Sequence, residues 1–253
     1  MRLRTAALVA ICALAPTAGA QSVPEHVAAG DREYASRKPA AALPHYEAAL
    51  AADPKSYEAL WKASRTAVDI GELEANGDAR KLTYKKGEEY ARRAVEANPT
   101  DAEGHFHLAR ALGRTAQSLG KRDRVKYAGE VRTHALHALE RNPRHAGALH
   151  VMGMWNAEIM RLSGIQRFAA KNLLGGKVFS EASWKEAVRY MEAAVAAEPE
   201  RITHRIDLAE VYEDVGEKAK AREQYQEIVR SPVLDAKDPT YKQQAQERLR
   251  KLG

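Results

Sequence analysis

Apolar residues recur along this chain at helical spacing from Val23 almost to its last residue. Val23, Val27, Ala28 and Tyr34 form one stripe, and Leu43, Tyr46, Ala49 and Leu50 a second. Leu60, Trp61, Ala63, Ala67 and Val68 follow, then Tyr90, Ala91, Ala94 and Val95, and the pattern resumes over 102–119 and 125–140. Spacings of three and four put such residues on one face of an α-helix. Four of the stripes close on nearly the same six residues: ALAADP (49–54), AVEANP (94–99), ALERNP (138–143) and AVAAEP (194–199). The small alanine suits a place where two helices touch, and the proline cannot continue the hydrogen-bond ladder, so each reads as a helix end. Recurrence at long, roughly regular spacing predicts a repeat architecture, in which a unit buries its core only against its neighbours. The expected fold is all-α, without sheet: about five helical hairpins wound into one right-handed α-solenoid.

The units match the tetratricopeptide repeat residue by residue. That pattern places small residues twelve and five positions before a terminal proline, with a larger one between; Ala42, Tyr46, Ala49 and Pro54 fit it, as do Ala187, Met191, Ala194 and Pro199. In the last unit, 202–229, Leu208, Ala209, Tyr212, Gly216, Ala221 and Tyr225 keep the register, although Val233 stands in the proline position. Residues 241–252 then read as a solvent-facing cap helix, as solenoids need at their ends.

The departures from the pattern are informative. Pro54, Pro99, Pro143 and Pro199 lie 45, 44 and 56 residues apart, against roughly 34 for a plain repeat. The excess falls between the two helices of each middle unit, at 71–81, 115–126 and 161–183. Lengthened inner turns gather on one edge of a solenoid, where they could partly cover its groove. The third is rich in apolar residues, and Ile165, Phe168, Ala169, Leu173 and Leu174 have helical spacing. It predicts an extra short helix over 165–174, closed by Gly175-Gly176 and packed on the superhelix near Met154, Trp155 and Ile159. Gly175-Gly176-Lys177 is no phosphate loop, since neither the preceding strand nor the full motif is present.

From 134 to 229 the chain resembles something narrower, the regulator of microtubule dynamics family. The resemblance rests on the Asn142-Pro143 helix end, Leu149-His150, Gly153-x-Trp155, Glu158 with Leu162, Arg167-x-x-Ala170, Leu174-Gly175 and Ser183-Trp184-x-Glu186-Ala187. Trp61-Lys62-Ala63-Ser64-Arg65 resembles an earlier helix of the same family. Gly176-Lys177 stands where prolines would be expected. The resemblance implies a helical domain that binds glycerophospholipids and tethers proteins.

Residues 1–20 carry Arg2 and Arg4, an uncharged run over 5–14 and Ala18-Gly-Ala20. These are the three regions of a secretory signal peptide, with cleavage expected after Ala20; the apolar run is about half the length of a membrane span. A lipid anchor on Cys12 is disfavoured by Ile11, where a small residue is required. The expected mature chain is a single helical-repeat domain over 21–253, periplasmic or secreted, and an exported chain would not meet microtubules. Cys12 is the one cysteine, so the mature chain has neither disulfides nor thiolate chemistry. Loss of two arginines leaves 38 basic against 34 acidic residues, interleaved as solvated helix faces and not gathered into a nucleic-acid footprint.

Candidate chemistry is thin. His134-x-x-His137 and His105-x-His107 are two-ligand arrangements, too few for a metal site, and read as partly exposed surface histidines beside buried Val131, Ala135 and Ala138. No nucleophile elbow is present. The expectation is a non-enzymatic protein without cofactor or metal. In tetratricopeptide repeats the first helix of each hairpin lines the concave groove. Counting from Tyr57, Ala102, Ala146 and Ile202, the fifth positions are Trp61, Phe106, His150 and Ile206, and the ninth are Arg65, Arg110, Met154 and Glu210. Trp61, Arg65, Phe106, Arg110, His150 and Met154, with Phe168 from the insertion, are therefore the candidate ligand-binding residues. Guanidinium forks match carboxylate or phosphate oxygens. The alternative is structural: Trp61 and Phe106 packed under the insertions, Arg65 and Arg110 paired with Glu58 and Glu103 or other neighbouring acids. Two functions remain open. One is an adaptor that grips a protein or peptide partner of the cell envelope in an open groove. The other is a phospholipid- or acyl-chain-binding protein, for which the 165–174 helix is the obvious lid.

Overall fold

The computed structural model describes residues 22–119, 121–173 and 176–252, and among them regular structure is entirely helical. Five hairpins follow one another: α1 (Val23–Ala35) with α2 (Pro39–Ala52), α3 (Tyr57–Leu73) with α4 (Gly77–Ala97), α5 (Ala102–Gln117) with α6 (Lys121–Arg141), α7 (Ala146–Met160) with α9 (Trp184–Ala197), and α10 (Ile202–Asp214) with α11 (Lys218–Arg230). Helix α8 (Gly164–Leu173) and a 3-10 turn (Gly176–Glu181) lie inside the fourth hairpin, and α12 (Asp238–Leu252) closes the chain. Each hairpin packs on the next, which is the architecture of an α-solenoid.

The recurring six-residue endings act as the sequence predicts. At each, the residue before the proline donates its backbone N–H to the repeat alanine four positions back: Asp53 to Ala49 at 2.9 Å, Asn98 to Ala94 at 2.9 Å, Asn142 to Ala138 at 2.9 Å and Glu198 to Ala194 at 3.0 Å. The proline then has no N–H with which to extend the ladder. All four alanines are fully buried, because a larger side chain there would separate the helices. Starts are capped locally. Ser22 and Glu25 form a capping box, and Asn76, Asp101 and Ser183 accept backbone N–H groups at the starts of α4, α5 and α9.

The insertions are built differently from the expectation. The first two are mostly longer helices and not longer turns: α3 runs through Gly71 to Leu73, α4 begins at Gly77, and three residues separate α5 from α6. Gly71 is a packing residue and not a breaker, since a Cβ there would lie 2.5 Å from Cε1 of Tyr84. The third insertion does form the extra helix, but not the expected packing. Ile165 is 84% and Phe168 70% exposed, because α8 lies beyond the end of α7 and rests on the 3-10 turn. Leu174, Gly175 and the side chains of Ala169 and Leu173 lie outside the described residues. The apolar anchor of the segment is Phe179, buried in the cluster of Trp155 and Ile159.

Helix α12 is amphipathic and only its outer face meets solvent; Tyr241 and Ala245 are buried in the core of α10 and α11. The linker that leads into it, 231–237, crosses to the first hairpins. Arg37 Nη1 donates to the carbonyl of Val233 at 3.2 Å, and Lys237 Nζ is 3.8 Å from Glu72 on α3. The two ends of the superhelix thereby meet across the groove.

Candidate ligand-binding groove

The first helices of the hairpins and the 231–237 linker line a half-open cavity of about 810 Å³. That is within the range of small-molecule sites, roughly 300–1,000 Å³. Trp61, Arg65, Phe106, Arg110, His150 and Met154 all line it, so six of the seven candidate residues are brought together; Phe168 stands outside on α8. Ile206 is buried in the core instead, and Glu210 accepts a hydrogen bond from Gln244 of α12 at 2.8 Å.

The charges lining the groove are mostly matched. Arg110 donates to Asp69 at 2.6 Å and to Glu72 at 3.1 Å, and Arg114 donates to Glu72 at 2.7 Å. Burial works to raise the Glu72 carboxyl, but Arg114, Arg110 and Lys237 overcome it and hold the group down at about 2. Arg201 pairs with Asp235 of the linker, Arg161 with Asp214 and Glu158, and Arg124 donates to the carbonyls of Gln117 and Leu119. Arg110 is therefore paired with neighbouring acids as the structural alternative has it, though not with Glu103, which lies 3.2 Å from His145 and 3.5 Å from His107; Glu58 takes Lys62 at 2.6 Å.

Arg65 is the exception among the described lining arginines. Its guanidinium carbon stacks 3.6 Å from the ring centroid of Tyr34 and lies 5.2 Å from that of Trp61. Its one hydrogen bond goes to the Tyr46 hydroxyl, at 3.5 Å, and its Nε has no partner. The nearby carboxylates serve tyrosines, Tyr34 donating to Asp69 at 2.6 Å and Tyr46 to Asp31 at 2.8 Å. A cation is thus held flat against an aromatic face with its hydrogen-bonding capacity largely unspent.

Apolar and imidazole groups fill the wall between these charges. Phe106 lies flat on α7 because Gly147 has no Cβ; one placed there would be 2.3 Å from the ring. Trp61 stacks on His107 with centroids 5.3 Å apart. His150 pairs with Asp207 at 2.7 Å, and His204 packs beside it. Burial pushes His107 and His204 down to about 4, which Glu103 and Glu198 only partly offset. Both ring nitrogens of His204 and the Nδ1 of His107 lack a hydrogen-bond partner.

Of the histidines noted in pairs in the sequence, His107 belongs to this wall, whereas His105, His134 and His137 lie apart from it. Nε2 of His105 is 3.0 Å from the Pro99 carbonyl and its Nδ1 2.8 Å from Nδ1 of His134. Nε2–H therefore donates to the carbonyl and Nδ1 accepts from His134. His105 is buried, which is a structural role and not the surface one expected. Among the described residues no three His, Cys, Asp or Glu side chains are grouped to hold a metal ion, and no helix is long and apolar enough to cross a membrane.

Much of the charge in the groove sits at the thirteenth position of the first helices, where Asp69, Arg114 and Glu158 are found. That register could have flagged them from sequence. The contribution of Leu234, Asp235 and Lys237 had no local signal, because it comes from the two ends of the superhelix meeting.

A model of the family "Regulator of microtubule dynamics protein 1-3" matches residues 27–253. The chain belongs to this family. Regulator of microtubule dynamics protein 1 of Bos taurus is 29% identical over 144 residues, which is 56% of this chain and 44% of that protein. Regulator of microtubule dynamics protein 3 of Xenopus laevis is 24% identical over 165 residues, 65% of this chain and 35% of the relative. The chain thus spans less than half the length of these family members. Among solved structures, a thermophilic tetratricopeptide-repeat protein of Thermus thermophilus superposes with a TM-score of 0.66 at 22% identity, covering 90% of this chain and 98% of that one. The helical repeats of this chain are therefore of tetratricopeptide type.

Proposed function

We propose that this chain is a non-enzymatic binding protein that holds an elongated amphipathic ligand, a phospholipid or fatty acid, in its covered groove. The ligand's phosphate or carboxylate lies on Arg65 and its hydrocarbon along Phe106, Met154 and Trp155. The observation that carries this reading is Arg65, a groove cation stacked on Tyr34 without a carboxylate partner while its neighbours are paired. The cover supports it too. An acyl chain needs an apolar wall on every side; Leu234–Lys237 supplies one, and Leu162, Gln166 and Phe179 of the α8 segment line the cavity as well.

A second reading, an adaptor gripping the C-terminal carboxylate of a peptide partner, draws on the fold and would use the same arginine. It requires the 231–237 strap to be displaced. Mass spectrometry of an organic extract of the purified protein separates the two. A stoichiometric glycerophospholipid or fatty acid, lost in Arg65→Glu, is the expected result; a lipid-free protein would leave the adaptor reading in its place. The N-terminal pattern supports a chain exported with removal of residues 1–20, and an intact mass that includes Met1 would refute that.

A further inference from the structure

We propose that the edge of the solenoid carrying the three insertions docks on an anionic lipid bilayer. Among the described residues five large apolar side chains are strongly exposed, and four of them, Leu73, Leu82, Ile165 and Phe168, lie in or directly beside the first and third insertions. Successive hairpins run in register, so the α3–α4, α5–α6 and α7–α8 connections share one edge. Scattered exposed apolar residues need no explanation, but a cluster on one edge does.

The charge of the same stretches selects the partner. The described side chains of 73–86, 117–126 and 159–180 include eight Lys and Arg against two Asp and Glu; of the eight, Lys86 pairs with Glu47 and Arg161 with Glu158 and Asp214. Arg80 and Lys85 are exposed and have no ion pair among the described residues. Exposed Ile and Phe on a short helix with only basic neighbours is the composition that inserts at the headgroup boundary of anionic membranes. A second copy is a poor occupant, because a two-fold contact would bring two strongly positive edges face to face. The edge is also continuous with the groove: Leu73, Gln117 and Arg124 line the cavity and are themselves exposed.

The inference stands apart from what the groove holds, since docking and cargo are read separately. The test is co-sedimentation of protein purified from cells expressing the full chain, with vesicles of phosphatidylcholine alone or with a third phosphatidylglycerol. Residues 1–20 are treated identically in every variant. The wild type is expected to bind the phosphatidylglycerol vesicles and not the neutral ones, more weakly as salt is raised. Ile165→Asp with Phe168→Asp, at exposed positions that leave helicity unchanged by circular dichroism, should lower the bound fraction about tenfold, and Arg80→Glu with Lys85→Glu should do likewise. Equal binding to both vesicles, or anionic binding untouched by either pair, would overturn the proposal. So would a wild-type dimer that ignores vesicles and becomes a monomer in the Ile165→Asp/Phe168→Asp variant, or retention of an acidic protein in place of vesicles.

Discussion

Lys237 Nζ lies 3.8 Å from the Glu72 carboxylate, tying the linker before the last helix to the end of α3. With Arg37 on the Val233 carbonyl, this contact turns an open groove into a covered one. Lys237→Glu puts a like charge beside Glu72 and should loosen the strap without unfolding the hairpins, whose cores lie elsewhere. Hydrogen exchange at the backbone amides of 233–237 should rise at least several-fold while α3 and α5 stay protected, at a cost of about 1 kcal/mol in global stability. Unchanged exchange over that stretch would mean that the strap is held by packing alone.

Stability should fall with acid in two separate limbs. His107 and His204 are held by burial at about 4, below the 6.5 of a free imidazole, so the unfolded chain takes up protons first. Their contribution is complete above pH 6.5 and is lost as pH falls toward 4. Glu72, held at about 2 against 4.5, contributes fully above 4.5 and loses its share as pH falls toward 2. Urea denaturation between pH 7 and 3 resolves the limbs. His204→Leu removes a buried ring 3.5 Å from Glu198 and should flatten the upper limb; it also removes the main contact holding the Glu198 carboxyl at about 2, so the lower limb should shrink but persist through Glu72.

The helix ends were legible because proline and a buried alanine are local requirements, visible at 49–54, 94–99, 138–143 and 194–199. The groove positions were legible for the same reason: the repeat register fixes which side of a helix Trp61, Arg65, Phe106 and Arg110 occupy. What failed was whatever depends on a distant partner. Ile165 and Phe168 have the spacing of a packed helix, but α8 lies beyond the end of α7 and both side chains are largely exposed. Gly71 has the look of a turn residue and is instead the space filled by Tyr84, thirteen positions later. The closing strap depends on residues 196 apart in sequence, Arg37 and Val233, and no periodicity encodes that meeting.

Two helical glycines should separate binding from stability. At Gly153 an added Cβ would lie 2.5 Å from the Met191 side chain and 3.2 Å from its backbone nitrogen. Gly153→Ala must push α7 and α9 apart, at a cost of about 1–3 kcal/mol. At Gly147 the obstacle is the far edge of the Phe106 ring, which can swing into the cavity. Gly147→Ala should therefore leave the melting temperature within a few degrees and reduce the amount of bound ligand. Equal loss of stability in both variants would show that Phe106 is locked in place.

The two groove arginines at equivalent repeat positions should behave oppositely, and the difference follows from their partners. Arg110 is bound to two carboxylates, Asp69 at 2.6 Å and Glu72 at 3.1 Å, with side-chain exposures of 20% and 9%. Arg110→Ala leaves those charges under-compensated in a partly buried site, which costs about 3 kcal/mol. Arg65 faces no carboxylate. Arg65→Gln gives up a cation–π contact with Tyr34 worth about 1 kcal/mol, but it also removes a buried Nε that had no acceptor. Its stability should change by less than about 1 kcal/mol, whereas a ligand with a phosphate or carboxylate end loses its one unspent cation and should bind at least about tenfold more weakly. Chemical denaturation and titration with a fluorescent fatty acid, run on both variants, give the comparison. Arg65→Gln that unfolds like Arg110→Ala, or that binds the fatty acid like the wild type, would show that Arg65 serves packing and not a ligand.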